Sequence, residues 1–192
     1  CITAHQKYRV PKEKLFHQNY QYRAKMTPSV LLGMKELVES LSSSVGSLNG
    51  KKVLDIGCND GSLLDFFSEK GAATVGVEPT IAATDCKHKT INSFFDNKTA
   101  ETLLKDFGTF DIITFTNVFA HIDDLNTLLK NIKLLLNDKS ILIIENHYLG
   151  AILDKTQFDT FYHEHPRTYS LKSFEFIKKK LFLNVSKVEF LT

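Results

Sequence analysis

The sequence has few cysteines, no long apolar run and almost no net charge, and each absence excludes a class of protein. Its three cysteines form no CxxC pair, and an odd number without a signal sequence describes no disulfide framework, so we expect a reducing, cytoplasmic location. The longest apolar runs, such as residues 141–144, fall far short of the roughly 20 residues of a membrane helix, so no membrane partner is expected. A net charge of +2 gives no field that attracts nucleic acid, which leaves small-molecule chemistry as the expected function.

Length and pattern predict one domain preceded by an arm. The 192 residues suffice for one well-buried α/β domain and are too few for two. Residues 1–26 are polar and aromatic without a clear helical or strand period, and we expect them to lie as an arm on the main domain, residues 27–192. Because the chain begins at Cys1 rather than at methionine, we also expect that the start of a longer protein is missing.

Short apolar segments alternate with amphipathic ones beyond the arm, which is typical of a mostly parallel sheet with helices on both faces. Thr27 and Pro28 predict the start of a first helix, and the Ser- and Gly-rich residues 42–50 predict its end. Strands are predicted at 52–56, 74–77, 90–91, 110–116, 140–145 and 183–190. Further helices are predicted at 62–69, 98–106, 124–136 and 171–180, whereas residues 146–170 interrupt the alternation. The expected fold class is therefore α/β.

Two glycines follow the first buried strand, in Asp55-Ile-Gly-Cys-Asn-Asp-Gly61. Gly57 and Gly61 let the backbone approach a ligand closely, and the helix that follows offers unpaired N–H groups and the positive end of its dipole. We therefore expect an anionic group of a ligand here. The spacing lacks the middle glycine that brings a backbone against a pyrophosphate, which weakens a nicotinamide interpretation.

An acid, Glu78, ends the second strand of the sheet. In sheets of this kind an acid at that place can accept hydrogen bonds from ribose hydroxyls. The loop and the acid together are far more specific than either alone. The alternative is that Gly57 and Gly61 only make a turn and that Glu78 only caps a strand.

Polar residues also follow the fourth strand, at the carboxyl edge where ligands bind in open α/β sheets. Asn117 and His121 are therefore expected to face the cofactor or the substrate. The alternative for His121 is a helix cap or a surface position.

The densest group of ionisable side chains lies in Phe158-Asp-Thr-Phe-Tyr-His-Glu-His-Pro166, preceded by Glu145-Asn-His-Tyr148. A histidine takes up a proton near neutral pH, and a tyrosine or a second histidine can stabilise the oxyanion that results, so the group predicts acid/base chemistry. Two alternatives remain: the aromatics could be core residues with solvated neighbours, or His163 and His165 could bind a metal. Metal is disfavoured because no other histidine or cysteine stands at a motif spacing from the pair.

With this loop and this acid the chain resembles the class I S-adenosylmethionine methyltransferases, which carry an hhDhGxxxG loop followed by an acidic ribose ligand. The resemblance implies a Rossmann-like fold, S-adenosylmethionine as cofactor and S-adenosylhomocysteine as product. The loop would hold the methionyl end and Glu78 the ribose, with Asp55 or Asp60 near the amino group and Phe95 or Asp96 near the adenine. The implied cofactor-binding residues are Asp55, Gly57, Asn59, Asp60, Gly61, Glu78, Phe95 and Asn117.

A narrower resemblance is to the C-methyltransferases of nucleotide-linked keto-deoxy-sugars. The matching segments are Glu13-Lys-Leu-Phe16 with Tyr20-Gln-Tyr22, the glycine loop, Asn117-Val-Phe-Ala-His121 and Phe158-Asp-Thr-Phe-Tyr-His-Glu-His165. The resemblance makes His165 the base that removes the proton beside the sugar ketone, giving an enolate. Tyr162, Glu164 and His121 would orient the sugar and stabilise the enolate. The implied substrate-binding residues are Tyr20, Tyr22, His163 and Tyr148, with Tyr20 or Tyr22 closing over the site.

The chain departs from that family at both ends. Family members carry an N-terminal zinc module with four cysteines, of which only Cys1 would be a remnant, so no zinc site is expected here. They also continue into a last strand and a C-terminal domain, whereas this chain stops at Thr192. Pro166-Arg167 stands where the family usually has an apolar or aromatic residue. We therefore expect a fragment in which cofactor binding can survive without full activity.

Three other functions compete with this one, and the sequence sets no oligomeric state. An O- or N-methyltransferase is favoured if the run from Tyr162 to His165 lies buried away from the cofactor. A non-catalytic domain would bind S-adenosylmethionine without turnover. An NAD-dependent dehydrogenase would bind NADH in preference.

Overall fold

The computed structural model describes residues 3–17 and 19–190, so Cys1, the expected remnant of a zinc module, lies outside the described residues. The strands are β1 (Thr3–His5), β2 (Lys52–Ile56), β3 (Ala73–Val77), β4 (Lys89–Ile91), β5 (Phe110–Thr116), β6 (Leu136–Glu145) and β7 (Arg167–Tyr169). The helices are α1 (Lys12–Leu15), α2 (Pro28–Val45), α3 (Ser62–Glu69), α4 (Asn97–Phe107), α5 (Leu125–Leu135), α6 (Leu149–Asp154) and α7 (Leu171–Leu181). Short 3₁₀ turns lie at Ala24–Met26, Ile81–Asp85, Phe119–His121 and Phe158–Thr160.

Five of these strands form a parallel sheet in the order β4-β3-β2-β5-β6. The chain winds outward from β2 to β4 in one direction and then from β5 to β6 in the other. The reversal lies between β2 and β5, and a crevice opens there beyond the carboxyl ends of the strands. The loop at Gly57 and the turn at Asn117 follow these two strands, so the topology places both at the crevice.

The side chains of each central strand alternate between two cores, one on each face of the sheet. Leu54 and Ile113 point into a cluster with residues of α4, α5 and α7. Their neighbours Val53 and Ile112 point into a second cluster with α2 and α3. Period-2 alternation between two apolar faces requires helices on both sides, so the predicted Rossmann-like α/β fold is confirmed. Phe67 of α3 is fully buried, and burial of a side chain of this kind contributes about 1.5–3 kcal/mol.

Several predicted elements appear at their predicted bounds, among them 52–56, 62–69 and 110–116. Helix α2 runs through Val45, into the predicted loop, and there the Ser43 and Ser44 hydroxyls donate to the carbonyls one turn earlier. Strand β6 begins at Leu136, where the sequence predicted the end of a helix.

The strand predicted at 183–190 is wrong. This segment is described, and it forms no strand even though its apolar residues alternate in part with polar ones. A strand needs a neighbour for its backbone hydrogen bonds, and none of the described strands pairs with it.

The first residues of the chain are tied to the main domain at separate points. Strand β1 pairs antiparallel with β7, with Thr3 opposite Tyr169. The arm is fixed again where Arg9 forms an ion pair with Asp123 and where Arg23 Nε donates to Asp85 at 2.7 Å. The segment between β6 and α7, which interrupted the predicted alternation, supplies α6 and β7. Both segments therefore lie over the carboxyl edge of the sheet.

Among residues 3–17 and 19–190, none of the helices combines the length and the apolar composition that a bilayer crossing requires.

Gly57 is the position where the fold leaves no room for a side chain. Its φ is +75°, and a Cβ there would overlap the Val118 side chain. Gly57→Ala is therefore expected to lower the free energy of unfolding by about 2–4 kcal/mol. Gly33→Ala is the matched control, because Gly33 is helical and has nothing within 4 Å of its Cβ position. That control is expected to be neutral or stabilising by up to about 1 kcal/mol. Urea unfolding measures both, and equal effects would contradict the argument.

Candidate active site

A cavity of about 1350 Å³ lies at the carboxyl edge of the sheet and is partly covered by the arm. It brings together most of the residues predicted to bind or react. Those that line it are Tyr20, Tyr22, Asp55, Gly57, Asn59, Glu78, Phe95, Asn117, His121, Tyr162, His163, Glu164 and His165. Three predicted residues, Asp60, Gly61 and Tyr148, do not line it. The glycine loop and the histidine-rich segment thus share one space.

Asn59 is held in a left-handed conformation, with φ +51°, by hydrogen bonds with Glu78 and with two residues of the arm. Its N–H donates to Glu78 Oε2 at 3.1 Å. Its Oδ1 accepts from the Ala24 N–H at 2.9 Å, and its Nδ2 donates to the Tyr22 carbonyl at 3.0 Å. The backbone of the loop is therefore fixed to the second strand on one side and to the arm on the other.

Asp60 and Gly61 shape the loop from outside the cavity. Asp60 Oδ1 accepts from the N–H and hydroxyl of Ser62, and its Oδ2 accepts from the Lys25 N–H at 3.0 Å. Gly61 is the N-cap of α3 with φ +82°, a left-handed conformation that favours glycine. These contacts position the start of α3.

Glu78 is 5% exposed, and its carboxylate is oriented by the protein before any ligand arrives. Its Oε1 accepts from the N–H and the hydroxyl of Thr80, at 2.9 and 2.6 Å, and its Oε2 accepts from Asn59. A carboxylate has about four acceptor positions, so one on Oε2 is left for a ligand hydroxyl. This acid can therefore bind a ribose without changing its own conformation.

Asp55 is a buried acid in the wall of the same cavity. It is 1% exposed, and the Thr114 hydroxyl donates to its Oδ1 at 2.6 Å. Burial raises the pKa of Asp55 to about 7, against the opposing effect of the Thr114 bond. A cationic ligand group beside this carboxyl would favour its ionised form, as the amino group of a methionyl moiety would.

The other end of the cavity is bordered by Phe95 and by the turn after β5. Phe95 packs edge-on against Phe115, with ring centroids 6.2 Å apart. Its neighbour Asp96 also lines the cavity and caps α4, accepting from the Thr99 N–H at 2.9 Å. Asn117, with φ +55°, donates through Nδ2 to Glu145 Oε1 at 3.3 Å.

Three histidines and a phenylalanine stack in a row inside the cavity. His165 lies between His121 and His147, with ring centroids 5.0 and 5.1 Å away, and Phe16 of the arm stacks on His121 at 5.1 Å. Burial lowers the pKa of His121 to about 3, with a smaller effect from His165 and His147. His147 belongs to the group of ionisable side chains that predicted acid/base chemistry, but no individual role was predicted for it.

The neutral His165 ring has a defined tautomer. Its Nδ1 lies 3.0 Å from the Thr160 carbonyl oxygen, which can only accept, so Nδ1 carries the proton and Nε2 keeps its lone pair. The residue is 6% exposed, and burial lowers its pKa below the usual 6.5. At neutral pH His165 is therefore an uncharged base.

Tyrosine side chains lie near His165. The Tyr162 ring is 4.3 Å from the His165 ring, and burial raises the pKa of Tyr162. Burial, followed by Glu164 and Tyr162, raises the pKa of Tyr20 to about 12. Burial also raises the pKa of Glu164. Both tyrosines keep their protons and remain hydrogen-bond donors.

Tyr148 lies apart from this group. It packs against Phe190, with ring centroids 5.0 Å apart, and lines a smaller cavity of about 270 Å³.

Across the described ranges, 3–17 and 19–190, no group of three or more His, Cys, Asp or Glu side chains could hold a metal ion. The histidine row is thus a stack of rings and is not arranged as a ligand set.

Comparison with known proteins defines the class of this site. Residues 22–181 match the family model described as a methyltransferase domain. The match spans the glycine loop, Glu78 and the whole histidine-rich segment. The chain therefore belongs to the methyltransferase domain family, and its cofactor is S-adenosylmethionine.

Similar proteins include both C- and O-methyltransferases. The chain is 31% identical over 159 residues to the C-methyltransferase NovU of Streptomyces niveus, covering 81% of this chain and 38% of the relative. It is 32% identical over 90 residues to a ubiquinone biosynthesis O-methyltransferase of Coxiella burnetii, covering 44% of this chain and 38% of the relative. The chain thus spans less than half of either relative. The plantazolicin methyltransferase BpumL, solved with SAH, has the same fold, with TM-score 0.60, 17% identity and coverage of 87% and 68%.

The raised pKa of Asp55 predicts a pH dependence of stability. The unfolded carboxyl ionises near pH 4 and the folded one near pH 7, so the folded state binds the extra proton between these values. Stability is therefore expected to fall by up to about 4 kcal/mol as the pH rises from 4 to 7. In Asp55→Asn this contribution is absent. Chemical denaturation of both proteins at a series of pH values measures it, and parallel curves would contradict the assignment.

Glu78→Ala is expected to weaken S-adenosylhomocysteine binding by about tenfold to a hundredfold, the effect of losing a hydrogen bond to a buried carboxylate. The matched control is Glu69→Ala, which removes an exposed acid at the end of α3 and is expected to leave binding unchanged. Calorimetry with S-adenosylmethionine, S-adenosylhomocysteine and NADH measures both. Preferential NADH binding would contradict the cofactor assignment.

Proposed function

We propose that this domain transfers a methyl group from S-adenosylmethionine to a carbon atom beside a ketone, in a nucleotide-linked keto-deoxy-sugar. The observation that carries the proposal is the His165 ring, whose Nε2 is an uncharged base in the same cavity as Asp55 and Glu78. The similarity to a protein named as a C-methyltransferase supports the choice of carbon. The substrate is a small molecule that the enzyme binds in the cytoplasm, and the cysteine usage is consistent with that location.

The residues of the cavity fit the cofactor. Gly57 lines the cavity at the turn after β2, Glu78 offers one free acceptor to the ribose, and Asp55 lines the region expected for the amino group. Phe95 borders the region expected for the adenine. When bound, S-adenosylmethionine supplies a methyl group already activated by the positive sulfur. The protein therefore needs only a base, an oxyanion stabiliser and alignment.

In the proposed reaction, His165 Nε2 takes the proton from the carbon beside the ketone, and the electron pair moves to the ketone oxygen. The ring then holds the proton as an imidazolium, whose Nδ1–H still donates to the Thr160 carbonyl. The developing oxyanion needs uncharged donors that keep their protons. Tyr162 is one, since burial raises its pKa.

His121 is the second candidate donor to the oxyanion. Its Nε2 is buried and has no hydrogen-bond partner within residues 3–17 and 19–190. With a pKa of about 3 the ring stays neutral even beside a protonated His165. Glu164, Tyr20, Tyr22 and His163 line the same space and are the proposed contacts for the sugar.

An O-methyltransferase is the second candidate, because the relative from Coxiella burnetii is named as one. A histidine base could equally remove a hydroxyl proton. The segment from Tyr162 to His165 lines the same cavity as the proposed cofactor-binding residues, and this placement supports the C-methyltransferase over the O-methyltransferase.

His165→Gln is expected to lower the rate of methyl transfer by about a hundredfold to ten-thousandfold, the usual contribution of a general base. The rate of the unaltered enzyme should rise with pH through the lowered pKa of His165 and be level above 6.5. Exchange of the hydrogen on the carbon beside the ketone, followed by NMR in D₂O, measures proton removal by His165 separately from methyl transfer.

The control for this experiment is His17→Gln, which changes an exposed histidine that does not line the cavity. S-adenosylhomocysteine binding should be unchanged in both variants. Cofactor binding with no exchange and no transfer to any keto-sugar would point to a non-catalytic domain, and transfer to a hydroxyl would point to the O-methyltransferase.

A further inference from the structure

Two cysteines, Cys58 and Cys86, lie at the glycine loop. Cys58 belongs to the loop and is 3% exposed, whereas Cys86 follows the 3₁₀ turn Ile81–Asp85 and is partly exposed. Both are free cysteines, and Cys86 packs against the buried cluster that contains Cys58. The proposed transfer reaction uses neither thiol.

Two glycines make the space that the sulfur atoms fill. A Cβ on Gly76 would come 2.5 Å from Cys58 Sγ, and a Cβ on Gly61 would come 2.5 Å from Cys86 Sγ. The Thr90 hydroxyl donates to Cys86 Sγ at 3.2 Å and is 3.2 Å from the Cβ position of Gly76, beside which Cys58 Sγ lies. The two sulfur atoms are therefore confined to one small space.

The two thiols differ in acidity. The neighbouring Cys58 thiol lowers the pKa of Cys86 to about 6, assisted by Thr90 and against the effect of burial. The Cys86 thiol, together with burial, raises the pKa of Cys58. At neutral pH a partly exposed thiolate thus lies beside a protonated thiol, as in reactive cysteine pairs.

We propose that Cys58 and Cys86 form a reversible disulfide that weakens cofactor binding. With hydrogen peroxide as oxidant, the Cys86 thiolate attacks one oxygen, forming an S–O bond as the O–O bond breaks, and the hydroxide released takes up a proton to become water. Cys58 then loses its proton and attacks the sulfenic acid, forming the S–S bond and releasing a second water. Two thiols have lost the two electrons that the peroxide gained, and a dithiol reverses the change.

The disulfide acts on the cofactor through the backbone next to Cys58. An S–S bond of about 2.0 Å draws the sulfur atoms closer than two unbonded sulfur atoms can lie, so the loop must shift. The Cys58 N–H donates to the Val77 carbonyl at 3.1 Å, and the next N–H, that of Asn59, donates to Glu78 Oε2. A shift of the loop misaligns the acid that is proposed to hold the ribose. This coupling rests on the proposed cofactor site.

The test uses the full chain with Cys1→Ser, so that only this pair of cysteines remains. Peroxide treatment followed by alkylation and intact mass measurement should show loss of two hydrogens and no alkylated thiol. Calorimetry should show S-adenosylhomocysteine binding about tenfold weaker, restored by dithiothreitol. With Cys86→Ser in addition, no disulfide should form and peroxide should leave the affinity unchanged.

Free thiols after oxidation would overturn the proposal, and so would a disulfide with unchanged affinity. Failure of the reduced protein to bind S-adenosylhomocysteine would count against the proposed cofactor site. The mass measurement would still decide whether the disulfide forms.

Discussion

The rest of the site depends on the backbone of one residue, Asn59. A left-handed backbone conformation costs a residue other than glycine about 1–2 kcal/mol, so the conformation persists only where surrounding hydrogen bonds outweigh that cost. Here the bonds to Glu78, Tyr22 and Ala24 do so. Through them the loop, Glu78 and the arm form one unit. The position of each is therefore defined by the other two.

Burial of the ionisable side chains determines their charges in the cavity. Burial keeps His121 neutral, holds protons on Tyr20 and Tyr162, and favours the protonated form of Asp55. The wall therefore offers uncharged donors, with His165 as an uncharged base among them. Uncharged donors of this kind suit a reaction in which negative charge appears on the substrate, because they can stabilise that charge.

The fold and the glycine loop could be predicted because their signals are local. The alternation of β2, α3 and β3 and the glycines at 57 and 61 are visible within a short window of sequence. The pairing of β1 with β7 could not, since it depends on segments far apart in the chain. Alternation alone suggested a strand at 183–190, where no neighbouring strand was available to pair with it.

The ribbon of β1 and β7 joins the third residue of the chain to residue 169. During synthesis on the ribosome, β1 emerges before the strands of the sheet and has no partner strand until residue 169 has been made. The sheet can form before then, since its strands lie between residues 52 and 145. The glycine loop and Glu78 can thus be in place before the aromatic arm covers them, and His165 and the rings beside it are assembled last. Such late, non-local contacts are the slow step expected in folding.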